Sequence, residues 1–240
     1  MKLIGMLDSP YVRRTAISLK LLGLSFEHAS VSVFRHFDRF HEINPVVKAP
    51  TLVCDDGTVL MDSTLILQYA QSLSPGRTLL PPSDPTLRRA LRIVGLAMAV
   101  CDKSVQAVYE QQLRPEDKQH GPWLDRCTGQ LRAALVELEA ELRKAPLSAE
   151  RDVIGLAGVS IGVAWEFARQ MVPELLPPAD ELPGLIAYAT AVEQLPEFRA
   201  APHRRRVAGA DRLCDGGGAA ARVPRRASRR RHGAAGGRLN

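Results

Sequence analysis

Three short stretches combine chemically able side chains with positions that expose them. In DSPYVRR (8–14) an apolar run ends, Ser9 precedes Pro10, and an amphipathic run begins. Proline at the first turn of a helix makes the preceding residue the N-cap and leaves the first amides free. A serine there has two compatible roles: its hydroxyl can cap the helix, or it can donate to an anion that the free amides and the helix dipole also favour. In NPVVKAPTLVC (44–54), Lys48 and Ala49 precede Pro50. Pro50 either opens an edge strand in trans or stands in cis, the latter leaving the Ala49 backbone free to pair with an extended ligand. In LMDSTLILQYA (60–70), Asp62 and Ser63 stand before an amphipathic run. An acid and a hydroxyl at a helix start cap it, and they can also receive an ammonium and a carboxylate.

The elements that must position these groups alternate. Strands are expected at LIGML (3–7), FEHASVSV (26–33), TLVC (51–54) and TVL (58–60), the last two joined by a tight DDG turn. Helices are expected over 11–22, 35–42 and 63–73. This order implies an α/β sheet ending in an antiparallel hairpin, over residues 1–76. SPGRTLLPPSDP (74–85) carries four prolines and a glycine and reads as a linker. Beyond it Asp84 is the expected N-cap, with Pro85 at the first helical position of a long helix striped by Leu87, Leu91, Val94, Met98, Cys101, Val105 and Val108. A second helix shows Leu131, Leu135, Leu138 and Leu142, and a third Leu156, Val159, Val163, Phe167 and Met171. Residues 85–198 therefore read as an all-helical domain, and the fold class as α/β plus all-α.

Composition narrows the remaining classes. The chain has 240 residues, 45% apolar and 24% charged, ordinary for a soluble globular protein of two domains. No apolar run approaches the roughly 20 residues of a membrane span, and the start carries no signal-peptide pattern. The four cysteines are too scattered for a redox or zinc spacing and too few for a disulfide framework, so a reducing cytoplasm is expected, with no metal and no membrane. The net charge of +6 lies entirely in the C-terminal 40 residues, which hold 11 arginines and two aspartates. This Arg/Ala/Gly-rich tail, 199–240, has no periodic apolar face and is expected to be disordered. Its arginine runs suit phosphates. The abrupt switch of composition, without lysine or aromatics, instead fits GC-rich coding text read out of frame, so nucleic acid is not the expected partner.

The order SPYVRR, NPVVKAPTLVCDDG, LMDSTLILQYA, then a Pro-rich linker and a helical domain, resembles the cytosolic glutathione S-transferases, of the bacterial type with serine at the thiol-activating position. The resemblance covers residues 1–198. It implies a thioredoxin-like N-terminal domain that binds glutathione as co-substrate, and an all-helical domain that walls the site for a small-molecule electrophile, in a homodimer. It implies that Ser9 is catalytic and contacts the glutathione sulfur, that Lys48 meets the glycine carboxylate, that Ala49 before a cis Pro50 pairs with the cysteinyl backbone, and that Asp62 and Ser63 hold the γ-glutamyl end. Tyr11, Val105 and Tyr109 are the candidates for the electrophile pocket. Serine rather than cysteine argues against disulfide reduction. The same thiolate would also serve an isomerase or a dehalogenase, and a non-catalytic interaction module would keep the fold without the chemistry. One departure stands out: Gly155, Leu156, Ala157 and Gly158 occupy the place where the family has Ser or Thr, Leu, Ala, Asp, so a capping pair is missing and a loss of stability is expected.

Overall fold

The computed structural model describes residues 1–203. Four short strands, β1 (Lys2–Ile4), β2 (Glu27–Ala29), β3 (Thr51–Val53) and β4 (Val59–Met61), form one sheet in the order β2-β1-β3-β4. β2 runs parallel to β1, whereas β3 is antiparallel to both β1 and β4. Helix α1 (Pro10–Leu21) makes the crossover from β1 to β2, α2 (Phe37–Ile43) leads to β3, and α3 (Ser63–Ser72) follows the hairpin. This is the expected thioredoxin-like arrangement, with shorter strands than the apolar runs suggest. β1 stops where Gly5 takes φ of 135°, and a Cβ there would stand 2.6 Å from Val12 Cγ2 and 3.2 Å from Ala49 Cβ. Glycine at this point lets the chain leave the sheet with α1 and the Pro50 loop pressed against it.

The rest is helical: α4 (Thr86–Val108), α5 (Gly121–Lys144), α6 (Leu156–Met171), α7 (Pro183–Val192) and α8 (Pro196–Arg199). The expected stripes of α5 and α6 are buried, apart from a half-buried Met171. On α4 the buried face is Ile93, Val94, Ala97, Val100, Cys101, Ser104 and Val108. The stripe expected from Leu87 is thus displaced at its start, where Leu91 is 49% exposed. The N-cap also differs: it is Pro85, with no side-chain cap, while Asp84 receives a hydrogen bond from Arg88 one turn on (3.0 Å).

The linker is packed rather than loose. Leu79 is buried, and its carbonyl accepts a hydrogen bond from Leu156 N at the start of α6 (2.6 Å). A Cβ on Gly155 would lie 2.7 Å from that oxygen, and one on Gly158 would lie 2.1 Å from the Tyr188 hydroxyl. The missing side-chain cap thus has a tertiary counterpart in the Leu79 carbonyl, and a side chain at either glycine would meet atoms of another segment.

One continuous core crosses the two halves, with Leu19 of α1 and Ile66 of α3 in the same cluster as Ala97, Leu135 and Ile161. Of the tail expected from 199, Ala201 and His203 pack against the helical half, whereas Arg199, Ala200 and Pro202 are exposed. Phe198 and Ala201 are buried, and His203 meets Phe167 edge-on with ring centroids 5.9 Å apart. The remainder of the tail, including its arginine runs, lies outside the described residues.

Candidate active site

The site assembles around α1. Ser9 is its N-cap, with extended backbone (φ −73°, ψ 126°), and the Ser9 side chain makes no capping hydrogen bond. Pro10 follows at the first helical position and is buried. Of the two roles open to Ser9, capping by its hydroxyl is not used: the half-buried hydroxyl stands beside the free amides of α1 with no partner among the described residues.

Lys48 and Asp62 come together, Lys48 Nζ lying 3.4 Å from Asp62 Oδ2. Asp62 is the N-cap of α3 with φ of 73°, a left-handed conformation that Asp tolerates better than most residues, and its Oδ1 accepts from Thr64 N (2.9 Å). Although burial pushes the other way, the Thr64 amide and Lys48 hold the Asp62 carboxyl below the usual range. The Ala49–Pro50 peptide is cis, and Ala49 sits against Gly5 at the sheet end. None of the hydrogen bonds of the described residues uses the Ala49 amide or carbonyl.

Ser63 also has a partner within the protein, through an oxygen lone pair that leaves its hydroxyl proton to donate. Its side chain is buried, and Ser63 Oγ accepts from Arg14 Nη1 (3.0 Å). Arg14, only 1% exposed, also donates through Nε to Ser160 Oγ on α6 (3.0 Å) and through Nη1 to Thr64 Oγ1 (3.2 Å), while its Nη2 is buried without a partner. Among the described residues no carboxylate pairs with this guanidinium, and burial lowers its affinity for the proton, with Cys101 and Asp62 opposing. A buried cation therefore stands behind the start of α3, where the Ser63 amide remains for an anion. Arg13, equally buried, turns the other way, making two 2.7 Å hydrogen bonds to Glu193 and one to the Ala201 carbonyl (2.7 Å).

On the helical side, the Tyr11 hydroxyl donates to Asp102 Oδ1 of α4. Val105, one turn on, is half-buried and packs against the main core. α4 ends in a single π-helical turn, Tyr109–Leu113, which begins with Tyr109. Its ring is 45% exposed and meets Phe34 of the β2–α2 loop edge-to-face, centroids 5.7 Å apart and planes at 81°. Cys101 lies in this region, but complete burial pushes its thiol up to about 12, which removes it as a nucleophile. Arg13, Arg14, Phe34 and Asp102 escaped sequence reasoning. The adjacent arginines in the first turns of α1, flanked by Val12 and Ala16, were the readable signal; Phe34 and Asp102 had none.

A thioredoxin-like domain with an unspent serine at the first helix, joined to a five-helix domain, defines the class. Residues 3–78 match the family model of the glutathione S-transferase N-terminal domain. The chain is 30% identical over 164 residues to the GST-like protein YibF of Escherichia coli, covering 68% of this chain and 80% of that one. It is similar to glutathione S-transferase U7 of Arabidopsis thaliana, 26% identical over 200 residues, 82% of this chain and 78% of that. Among solved structures, a glutathione S-transferase of Methylobacterium radiotolerans in complex with glutathione sulfonate superposes with a TM-score of 0.77 at 27% identity, covering 86% of this chain and 96% of that one. The chain belongs to the glutathione S-transferase family.

Proposed function

We propose that the protein is a glutathione transferase whose thiolate is held by Ser9. The observation that carries this reading is the Ser9 hydroxyl, placed at the N-terminus of α1 and free of any capping bond. The hydroxyl donates to the sulfur, and the free amides and dipole of α1 lower the thiol pKa. In the reaction the thiol proton goes to solvent and the thiolate attacks an electrophilic carbon. A C–S bond forms, and the leaving group departs with its bonding electron pair.

Asp62 receives the γ-glutamyl ammonium, the Ser63 amide its carboxylate, the Ala49 backbone the cysteinyl segment, and Lys48 the glycine carboxylate. The buried Arg14 charge supports the carboxylate through Ser63. Tyr109 and Phe34 wall the electrophile, with Tyr11 and Val105 beneath. Relatives solved with glutathione, such as a family member from Pseudomonas fluorescens Pf-5 (29% identity, TM-score 0.70), support the ligand. A homodimer fits the apolar side chains left open on β4 and α3, namely Val59, Met61, Leu65 and Tyr69. Free cysteines at 54, 101 and 127 suit the cytoplasm.

Titration calorimetry with glutathione, followed by a chromogenic conjugation assay, tests the reading. Binding and turnover support it, and a folded preparation that shows neither overturns it.

A further inference from the structure

Asp102, Val105 and Tyr109 follow one another at spacings that share a helix face, and this face of α4 meets the start of α1. Because the Tyr11 hydroxyl donates its proton to Asp102, it has none left for a leaving group or an incoming carbonyl. Toward a ligand it presents lone pairs beside a carboxylate. Burial and then Asp102 push its ionisation far up, so it stays neutral. A second carboxylate, Asp8, immediately precedes Ser9 and lies within electrostatic reach of Tyr109, whose hydroxyl is raised by burial and then by Asp8. Above these groups stand two open aromatic rings, Phe34 (42% exposed) and Tyr109.

Among the described residues the nearby cations are engaged elsewhere. Arg13 is bidentate to Glu193, and Arg14 lies beneath Ser63. Lys48 pairs with Asp62, and Lys103 donates to Gln106 Oε1 (3.2 Å) and faces Cys127 of α5. Arg35 rests on Met6 Sδ (3.9 Å) and is already partnered.

Resting on the glutathione reading, we propose that Asp102 and Asp8 select against electrophiles bearing a carboxylate, so that the substrate class is neutral or cationic aromatic electrophiles that lie against the exposed surface of the touching Phe34 and Tyr109 rings. Two negative charges beside this exposed aromatic pair repel an anionic substrate both at encounter and at the transition state, whereas the ring faces accept a neutral arene or a cation. The charge pattern thereby separates a transferase for neutral arenes from isomerases that act on carboxylated substrates.

The test compares 1-chloro-2,6-dinitrobenzene with its carboxylated analogue 4-chloro-3,5-dinitrobenzoate, which has the same nitro pattern around the reacting carbon. Each kcat/KM is divided by the uncatalysed rate constant with glutathione, which removes intrinsic reactivity. At low ionic strength the neutral arene should be favoured by about ten-fold or more, and added salt should narrow that ratio. Asp102→Asn keeps an acceptor for Tyr11 while removing the charge, and should shift the ratio about three-fold or more toward the benzoate; Asp8→Asn should shift it the same way. A wild-type ratio near one overturns the inference, as does a ratio unchanged in both variants while they remain folded by circular dichroism. Absence of glutathione binding by calorimetry, with neither chloride consumed, overturns the glutathione reading itself and this inference with it. Turnover without charge discrimination overturns only the inference.

Discussion

Ser9 and Asp62 are both N-caps, yet they spend their side chains differently. Asp62 caps α3 through Thr64 N, whereas the Ser9 hydroxyl caps nothing. Ser9→Ala should therefore leave stability almost unchanged, and should raise the apparent thiol pKa in the pH–rate profile. Turnover should fall by roughly ten-fold, less than the loss of an oxyanion donor because a thiolate is a weaker acceptor. A rate and pH profile like the wild type, together with a stability loss, would reduce Ser9 to a cap. Asp62→Ala should weaken glutathione binding by about ten-fold or more, because it leaves a charged ammonium without its acceptor; calorimetry reads this directly. The motif residues were legible because helix-start chemistry is local. Ser63 was only half legible: its place at the helix start is visible in the chain, but the hydrogen bond that its hydroxyl oxygen accepts from Arg14 of another helix is not.

Among the elements, the helices of the C-terminal half receive their caps from a distance. Leu79 O receives Leu156 N, and Glu139 of α5 receives Gly184 N (3.2 Å) and Leu185 N (2.7 Å) at the start of α7. Glu110 likewise accepts from His120 N before α5 (2.6 Å). None of these acceptors is adjacent in sequence, so local capping rules find the helices but not what holds their ends. Restoring a serine where the family has one, Gly155→Ser, should accordingly destabilise the protein by ~1–3 kcal/mol in urea unfolding, since the new side chain meets the Leu79 carbonyl. Stabilisation by about 1 kcal/mol, the ordinary gain of a cap, would contradict that account.

At the scale of the whole molecule, α1 is the shared beam. Arg13 ties it to Glu193 and Ala201, and Arg14 ties it to α3 and α6. A chain ending at Phe198 loses the Ala201 carbonyl and leaves Arg13 short of an acceptor. It should be less stable than a chain ending at His203 by ~2 kcal/mol, as thermal unfolding of the two truncations would show. Equal midpoints would remove residues 199–203 from the fold's support. His203 adds a pH dependence. Burial, then Arg13, lowers its pKa below the ordinary 6.5, against Glu166 and Asp8. The unfolded chain thus binds the proton more readily than the folded one, so this contribution is present above pH ~6.5 and is lost as pH falls through the lower folded value. His203→Gln should flatten that slope in unfolding free energy measured between pH 7 and 5, and an unchanged slope would exclude His203 as its source.

Periodicity and composition by themselves determined the two-part architecture, the strands and most of the helices within a few residues, though not α7 and α8, and the helix-start positions of Ser9, Asp62 and Ser63. Each depends on neighbours a few residues away, so the information is present in the local chain. What only the tertiary structure decided are the uses of those groups: the buried arginines whose partners lie 146 and 188 residues distant, the aromatic pair of Phe34 and Tyr109, the Tyr11–Asp102 contact, and the glycines of α6. Those depend on which segments pack against which, and a close-packed interior sets that by shape and charge across the whole chain rather than by spacing along it.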